Sequence, residues 1–341
     1  MFVTRTLNRR SLIGWLSKYI VALFAVHGTI AFLYTRGFLD IALPWLPVSI
    51  VGTAVAFFVG FKNNQAYDRM WEARKIWGGI INDSRSWGMM IDSYIRKDMG
   101  MPENEVAQTK QKLIYRHLAW IYIHRLQLLE PMSWEQLGDK GIVGRTARRY
   151  QKYFGIGQVT DAVNIEDIKK FLSENEYTEM ITYKNIATQL INKQSRDLIQ
   201  LHDKGYITQL QHNELEETLQ SFYTLQGQNE RIKKFPFPRD YSGMSKFFVY
   251  TFITLFPFSL IPELMKASPS LYWLSLPISV LIGLIYIIME DLGDYHENPF
   301  MGTPHGIPML SMCRTIEIDL REMIGEKDLP QPIKATNGVL M

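Results

Sequence analysis

Four stretches of this chain contain no aspartate, glutamate, lysine or arginine: residues 19–35, 41–61, 247–262 and 267–289. About 20 apolar residues carry a helix across the hydrocarbon core of a bilayer. One such run alone fits a buried core helix equally well. Two pairs of them, each pair joined by a short connection, predict an all-α membrane protein with four transmembrane helices per protomer. Bulk composition conceals this, because the 341 residues are an ordinary 47% hydrophobic and the apolar ones are clustered.

Charge placement orients the helices. Arg5, Arg9, Arg10 and Lys18 precede the first apolar segment, and Lys62, Arg69, Arg74 and Lys75 follow the second. The two short connections hold only Arg36 with Asp40 and Glu263 with Lys266. The positive-inside rule then puts both termini and the long middle of the chain in the cytoplasm. The basic start resembles a signal peptide, but its apolar run is too long for one and lacks a small-residue exit, so it reads as an uncleaved anchor. A net charge of +3 is too mild to indicate nucleic-acid binding. The one cysteine, Cys313, excludes an intramolecular disulfide and a multi-cysteine zinc site.

The polar middle repeats apolar residues at three- and four-residue spacing over 112–130, 164–173, 183–201 and 209–225, which predicts a helical body. Met101-Pro102, Gly155-Ile156-Gly157 and Phe235-Pro236-Phe237-Pro238 mark its turns. The expected domains are 1–61, the N-terminal helix and first two membrane helices; 62–244, a cytoplasmic helical body; 245–290, membrane helices three and four; and 291–341, a cytoplasmic segment. Residues 328–341, with two prolines, a glycine and no periodicity, are expected to be a flexible tail.

The second apolar segment changes character at GFKNNQAYDRMWEARKIWG, residues 60–78. On a helical wheel Thr53, Phe57, Phe61, Asn64, Asp68 and Trp71 share one sector, while Lys62 and Arg69 fall opposite. One stripe thus passes from apolar to amide to carboxylate, the sequence of a hydrophobic constriction opening into a polar vestibule. The same periodicity also suits a face packed on a neighbouring helix, with Asp68 paired to Arg69 or Arg74 of another protomer.

That run, followed by Asn82-Asp83-Ser84-Arg85, resembles the signature of the bestrophin family in its bacterial branch. The resemblance continues at GQNERIKKFPFPRDY (227–241) and at Glu297-Asn298-Pro299-Phe300. It implies a homopentameric ion channel with an axial pore, a hydrophobic neck on the second helix and a cytoplasmic aperture. Carried onto this chain, the neck falls on Thr53, Phe57 and Phe61. Thr53 departs from the bulkier apolar residue usual there, which implies a wider, wetter outer neck. Counting back from Gly227 sets the aperture at Leu210, or at Ile207 one turn earlier. Fivefold symmetry turns Asn64 and Asp68 into a vestibule ring, and a carboxylate ring favours cations. The family does not settle the sign, since animal relatives pass chloride and some bacterial relatives pass monovalent cations.

Other clusters carry less. Glu290, Asp291, Asp294 and Glu297 crowd the end of the fourth apolar segment, where carboxylates oppose the helix dipole, and arginines of the cytoplasmic body are their expected partners. The calcium clasp of animal relatives finds no acid over 299–306. The histidines form no metal set: His117 and His124 stand two helical turns apart, and a helical excursion separates His202 from His212. Ser84 beside Asp83 lacks a base at any diagnostic spacing.

The sequence therefore points to a bestrophin-type channel of the cell inner membrane. It passes chloride or sodium and potassium, has the lipid bilayer and its own copies as partners, and requires no metal or other cofactor. A membrane-anchored helical enzyme or scaffold is the alternative.

Overall fold

The computed structural model describes residues 1–4, 9–159 and 163–341; Arg5 and the side chains of Arg9 and Arg10, invoked above for their charge, lie outside it. Among the described residues the fold is all-helical, with β-structure confined to isolated bridges. Its α-helices are α1 (Arg9–Thr35), α2 (Trp45–Tyr94), α3 (Glu103–Leu129), α4 (Ile142–Phe154), α5 (Glu174–Met180), α6 (Ile186–Asp203), α7 (Gln209–Lys234), α8 (Arg239–Ala267), α9 (Ser275–His296) and α10 (Met309–Met323). The chain divides into two compact units, one of Thr4–Arg69 with Phe237–Asn298, the other of Met1–Val3, Met70–Pro236 and Pro299–Met341. The long α2 contributes its first half to one and its second half to the other.

The first unit gathers the apolar segments. Four spans, Ile13–Thr35, Trp45–Tyr94, Arg239–Ala267 and Pro269–His296, are long and apolar enough to cross a membrane. Val48, Val55 and Val59 of α2 pack with Leu23 of α1, with Val249, Phe252 and Phe256 of α8 and with Val280 and Ile287 of α9. Gly52 lets α2 approach α8 closely, since a Cβ there would stand 2.7 Å from the Phe252 ring. Much of what faces outward is also apolar, including Val21, Phe32, Ile50, Phe247 and Leu281, as a lipid-facing surface requires.

Pro257 and Pro262 lie inside α8. A proline has no N–H to give the carbonyl four residues earlier, and hydrocarbon offers no water to replace it. The carbonyl freed by Pro262 is that of Phe258, and it accepts from the Leu43 N–H at 3.1 Å. The chain entering α2 thus satisfies the break in α8.

The second unit is built around α3, whose buried face carries Leu113, Ile114, Leu118, Trp120, Tyr122 and Ile123. Trp77, Ile80, Trp87 and Ile91 of α2 and Leu215, Leu219 and Phe222 of α7 belong to the same core, as do Ile316 and Leu320 of α10. Helix starts follow local chemistry. Thr208 and Gln211 form a reciprocal capping box on α7, and the Ser173 and Asn185 side chains cap α5 and α6. Residues 164–173, expected as helix, form a 3₁₀ segment at Glu166–Phe171 that leads into α5.

Several polar groups inside this unit are matched, while the Trp77 and Trp87 indole N–H groups are buried without a hydrogen-bond partner. Trp120 Nε1 donates to Gln226 Oε1 at 2.9 Å, and the Tyr122 hydroxyl donates to Glu317. Arg116 is buried and ion-paired to Glu176 and, at 2.7 Å, to Asp197. The closing segment is not the free tail its composition suggests. Val339 and Met341 are buried, the Leu340 N–H donates to the Met1 carbonyl at 2.8 Å, and the Ser311 N–H donates to the Met341 carbonyl. Prolines and a glycine removed the periodicity, yet backbone pairing to residues 1–3 and a few apolar anchors order the strand-like end.

Removing one partner of a buried ion pair strands the other charge, which costs about 3–5 kcal/mol. Arg116→Ala is expected to lower apparent stability by that amount, read from denaturant unfolding of the detergent-solubilised protein.

Candidate pore-lining site

Along α2 the buried and exposed faces separate cleanly. Val55, Val59, Lys62 and Ala66 are buried, at intervals of three and four residues. Opposite them Thr53, Phe57, Phe61, Asn64 and Asp68 are all exposed, with Phe57 65% and Phe61 60% open. The Thr53 hydroxyl donates to the Ser49 carbonyl at 2.9 Å. The five sequence-predicted residues thus share one uncovered stripe of a single helix.

What turns the stripe outward is the residue after Phe61. Lys62 is 0% exposed, and its Nζ is held between Glu290 and, at 2.7 Å, Asp294 of α9. Those acids lie one helical turn apart, so both reach the same ammonium. Ser245 donates to Glu290, and Lys246 pairs with Asp294 at 2.5 Å, which brings α8 into the cluster. Asn63 Nδ2 donates to the Met289 carbonyl at 2.9 Å, and Tyr19 of α1 donates to Asp291 at 2.6 Å. Arg239 pairs with Glu297 at 3.1 Å. The carboxylates ending α9 were expected to find arginines of the helical body. They pair chiefly with Lys62 and Lys246 of the apolar unit instead, because α2 and α8 deliver lysines to the dipole-disfavoured end of α9.

In the other unit, Leu210 stands on the first turn of α7, 69% exposed, whereas Ile207 is 2% exposed and part of the hydrophobic core. Beyond Trp71 on α2, Lys75 pairs with Glu72 at 2.8 Å, which offsets its charge locally. An open cleft of about 290 Å³, lined by Asp83, Glu214, Glu217, Ser221 and neighbouring side chains, was not legible in sequence because its walls come from α2 and α7.

The histidines behave differently from their spacing. His202 and His212 come together, ring centroids 5.3 Å apart, because Gly205 at φ 75° folds the chain back between α6 and α7. Even so, no three His, Cys, Asp or Glu side chains among the described residues are placed to hold a metal ion. Ser84 does meet an imidazole, His117 Nε2 lying 2.9 Å from its hydroxyl oxygen, to which it donates. Both are buried, and Ser84 donates to the Ile80 carbonyl, so the pair is sealed from any substrate.

Burial pushes His117 down to about 3 and His124 to about 4, the latter against the pull of Glu230, so both are neutral imidazoles in the folded chain. Burial also raises the Cys313 thiol to about 12, which leaves it inert.

These features define a class: a multi-helix membrane protein fused to a helical body, with a polar-ended apolar stripe on its second helix. The chain belongs to the bestrophin family, whose Bacterial/Fungal Bestrophin protein profile matches residues 5–322. It is 27% identical to the voltage-dependent anion channel-forming protein YneE of Escherichia coli K12, over 86% of this chain and 82% of that one. It is 24% identical to the YneE protein of Salmonella typhi, over 92% and 93%. The fold matches the crystal structure of a bacterial bestrophin homologue from Klebsiella pneumoniae with a TM-score of 0.71 at 20% identity, covering 93% of this chain and 99% of that one. Family and relatives point to a channel and not to an enzyme.

Because the folded His117 and His124 sit below the ordinary histidine value of 6.5, the unfolded chain binds more protons in the window between. The stability they contribute is present above pH 6.5 and is lost as pH falls toward 3. Thermal unfolding followed from about pH 7 to about pH 4 is expected to show a shallower decline in a His117→Gln, His124→Gln variant than in the wild type.

Proposed function

We propose that this chain is the protomer of a homopentameric bestrophin-type channel that conducts small monovalent ions passively across the cell inner membrane, anions foremost. Both termini and the helical body at 62–244 lie on the cytoplasmic side. The observation that carries the reading is the uncovered stripe from Thr53 to Asp68 on α2. A hydrophobic constriction has to continue into water-facing polar groups where its helix leaves the membrane, here an amide and a carboxylate. A stripe facing an aqueous axis does so naturally.

In this reading Thr53, Phe57 and Phe61 form the neck, Asn64 and Asp68 the vestibule ring, and Leu210 the aperture. Ile207, being part of the core, is the weaker aperture candidate. Apolar rings cannot replace an ion's water shell, so the neck controls flow by width and wetting, and charge preference comes from the ring beside it. The names of the relatives speak for anions. The exposed Asp68 speaks for a cation component and favours a second reading, a channel of weak or reversed preference.

Single-channel recording of the purified protein in planar bilayers across a salt gradient tests the reading. Conductance with an anion-directed reversal potential is expected, and a non-conducting monomer or dimer would refute the channel. Asp68→Asn is expected to move the reversal potential further toward the anion limit. An unmoved potential removes Asp68 from the permeation path. Phe57→Ala is expected to raise unitary conductance by widening the neck.

A further inference from the structure

Phe61, Lys62 and Asn63 are consecutive, so they leave α2 in directions about 100° apart. Phe61 points to the open stripe, the Lys62 ammonium is enclosed by Glu290 and Asp294, and Asn63 bonds the Met289 carbonyl. We propose that this buried charge cluster is the rotational latch of the neck: Lys62 and its two carboxylates set the angle at which Phe61 meets the pore axis. The inference rests on the reading that Phe61 lines that neck.

Packing alone would not supply this. Apolar attraction is non-directional, so it fixes how closely two faces pack more than the angle at which they meet. An ammonium shared by two carboxylates has one setting, because turning α2 away leaves an unpaired charge with no water to receive it. The setting is reinforced by close approach at Gly293, where a Cβ would stand 2.4 Å from Asn63 Oδ1. It is shared among three helices, because Ser245 and Lys246 of α8 hold the same two acids. Buried ion pairs add little stability over apolar replacements of equal shape, so orientation is the more specific return on this one.

A latch and a merely structural pair differ in how they couple to Phe61. The charge-balanced variant Lys62→Met, Glu290→Gln removes one charge of each sign and keeps Asp294 with Lys246. Its amide oxygen at position 290 still accepts from Ser245. Unitary conductance is recorded for the wild type, Phe61→Ala, the charge-balanced variant and the combination, each first confirmed to assemble like the wild type by size. Phe61→Ala is expected to raise conductance in the wild-type background and to do so less than half as strongly once the cluster is neutral. That non-additivity is what contacting or coupled groups produce and independent ones do not.

Equal effects of Phe61→Ala in both backgrounds overturn the latch and leave the neck intact. No effect of Phe61→Ala in the wild-type background overturns the neck reading, and the latch with it. Should the charge-balanced variant fail to assemble, Asp294→Asn, which removes one of the two carboxylates from Lys62, takes its place in the cycle under the same criteria.

Discussion

An ammonium with no access to water has to be neutralised where it stands, and Lys62 is such a group. Its neutralisation by Glu290 and Asp294 dictates which side of α2 faces α9, and the helical repeat then dictates everything else along that stretch. Val55, Val59 and Ala66 are buried because they share the Lys62 face. Thr53, Phe57, Phe61, Asn64 and Asp68 are open because they do not. The open stripe is therefore the remainder left when a charge requirement has been met, and Lys246 and Ser245 extend the requirement to α8.

The helical body obeys the same rule in a different form. Its core answers several of its polar groups: Arg116 by two acids, Trp120 by Gln226, Tyr122 by Glu317. Where burial outweighs any nearby counter-charge, the group stays neutral, as His117 and His124 do. Matched polar contacts inside a large aromatic core favour one packing over many near-equivalent ones.

How far the amino-acid sequence foretold this depended on the range of the signal. The four apolar helices were visible as uncharged runs and the α2 stripe as a helical period, each signal lying within one element. The helix expected over 209–225 does begin there, behind the Thr208 cap, whereas Ser173, expected to end a helix over 164–173, caps α5 instead. Contacts between elements were not visible. Nothing in the spacing of His202 and His212 announces that Gly205 folds the chain back between them, and Ser84 meets an imidazole thirty-three residues away on another helix. The acids of α9 were recognised as needing cations, but that the cations are lysines of α2 and α8 follows only from the packing. The closing residues misled for the opposite reason: their order comes from backbone pairing to residues 1–3, which leaves no side-chain pattern to read.

The hydrogen bond from Leu43 to the Phe258 carbonyl has a bearing on how the molecule is made. The donor is synthesised long before the acceptor, and at about 5–20 residues per second the interval is roughly ten to forty seconds. Through that interval the first helical hairpin has an unanswered amide at its entry and, at Lys62, an unanswered charge at its exit. Neither end is complete until α8 and α9 arrive, so the hairpin that carries the stripe cannot mature in the bilayer by itself. Whatever shelters it during translation shelters two ends of one helix, and both are released by the insertion of the second pair.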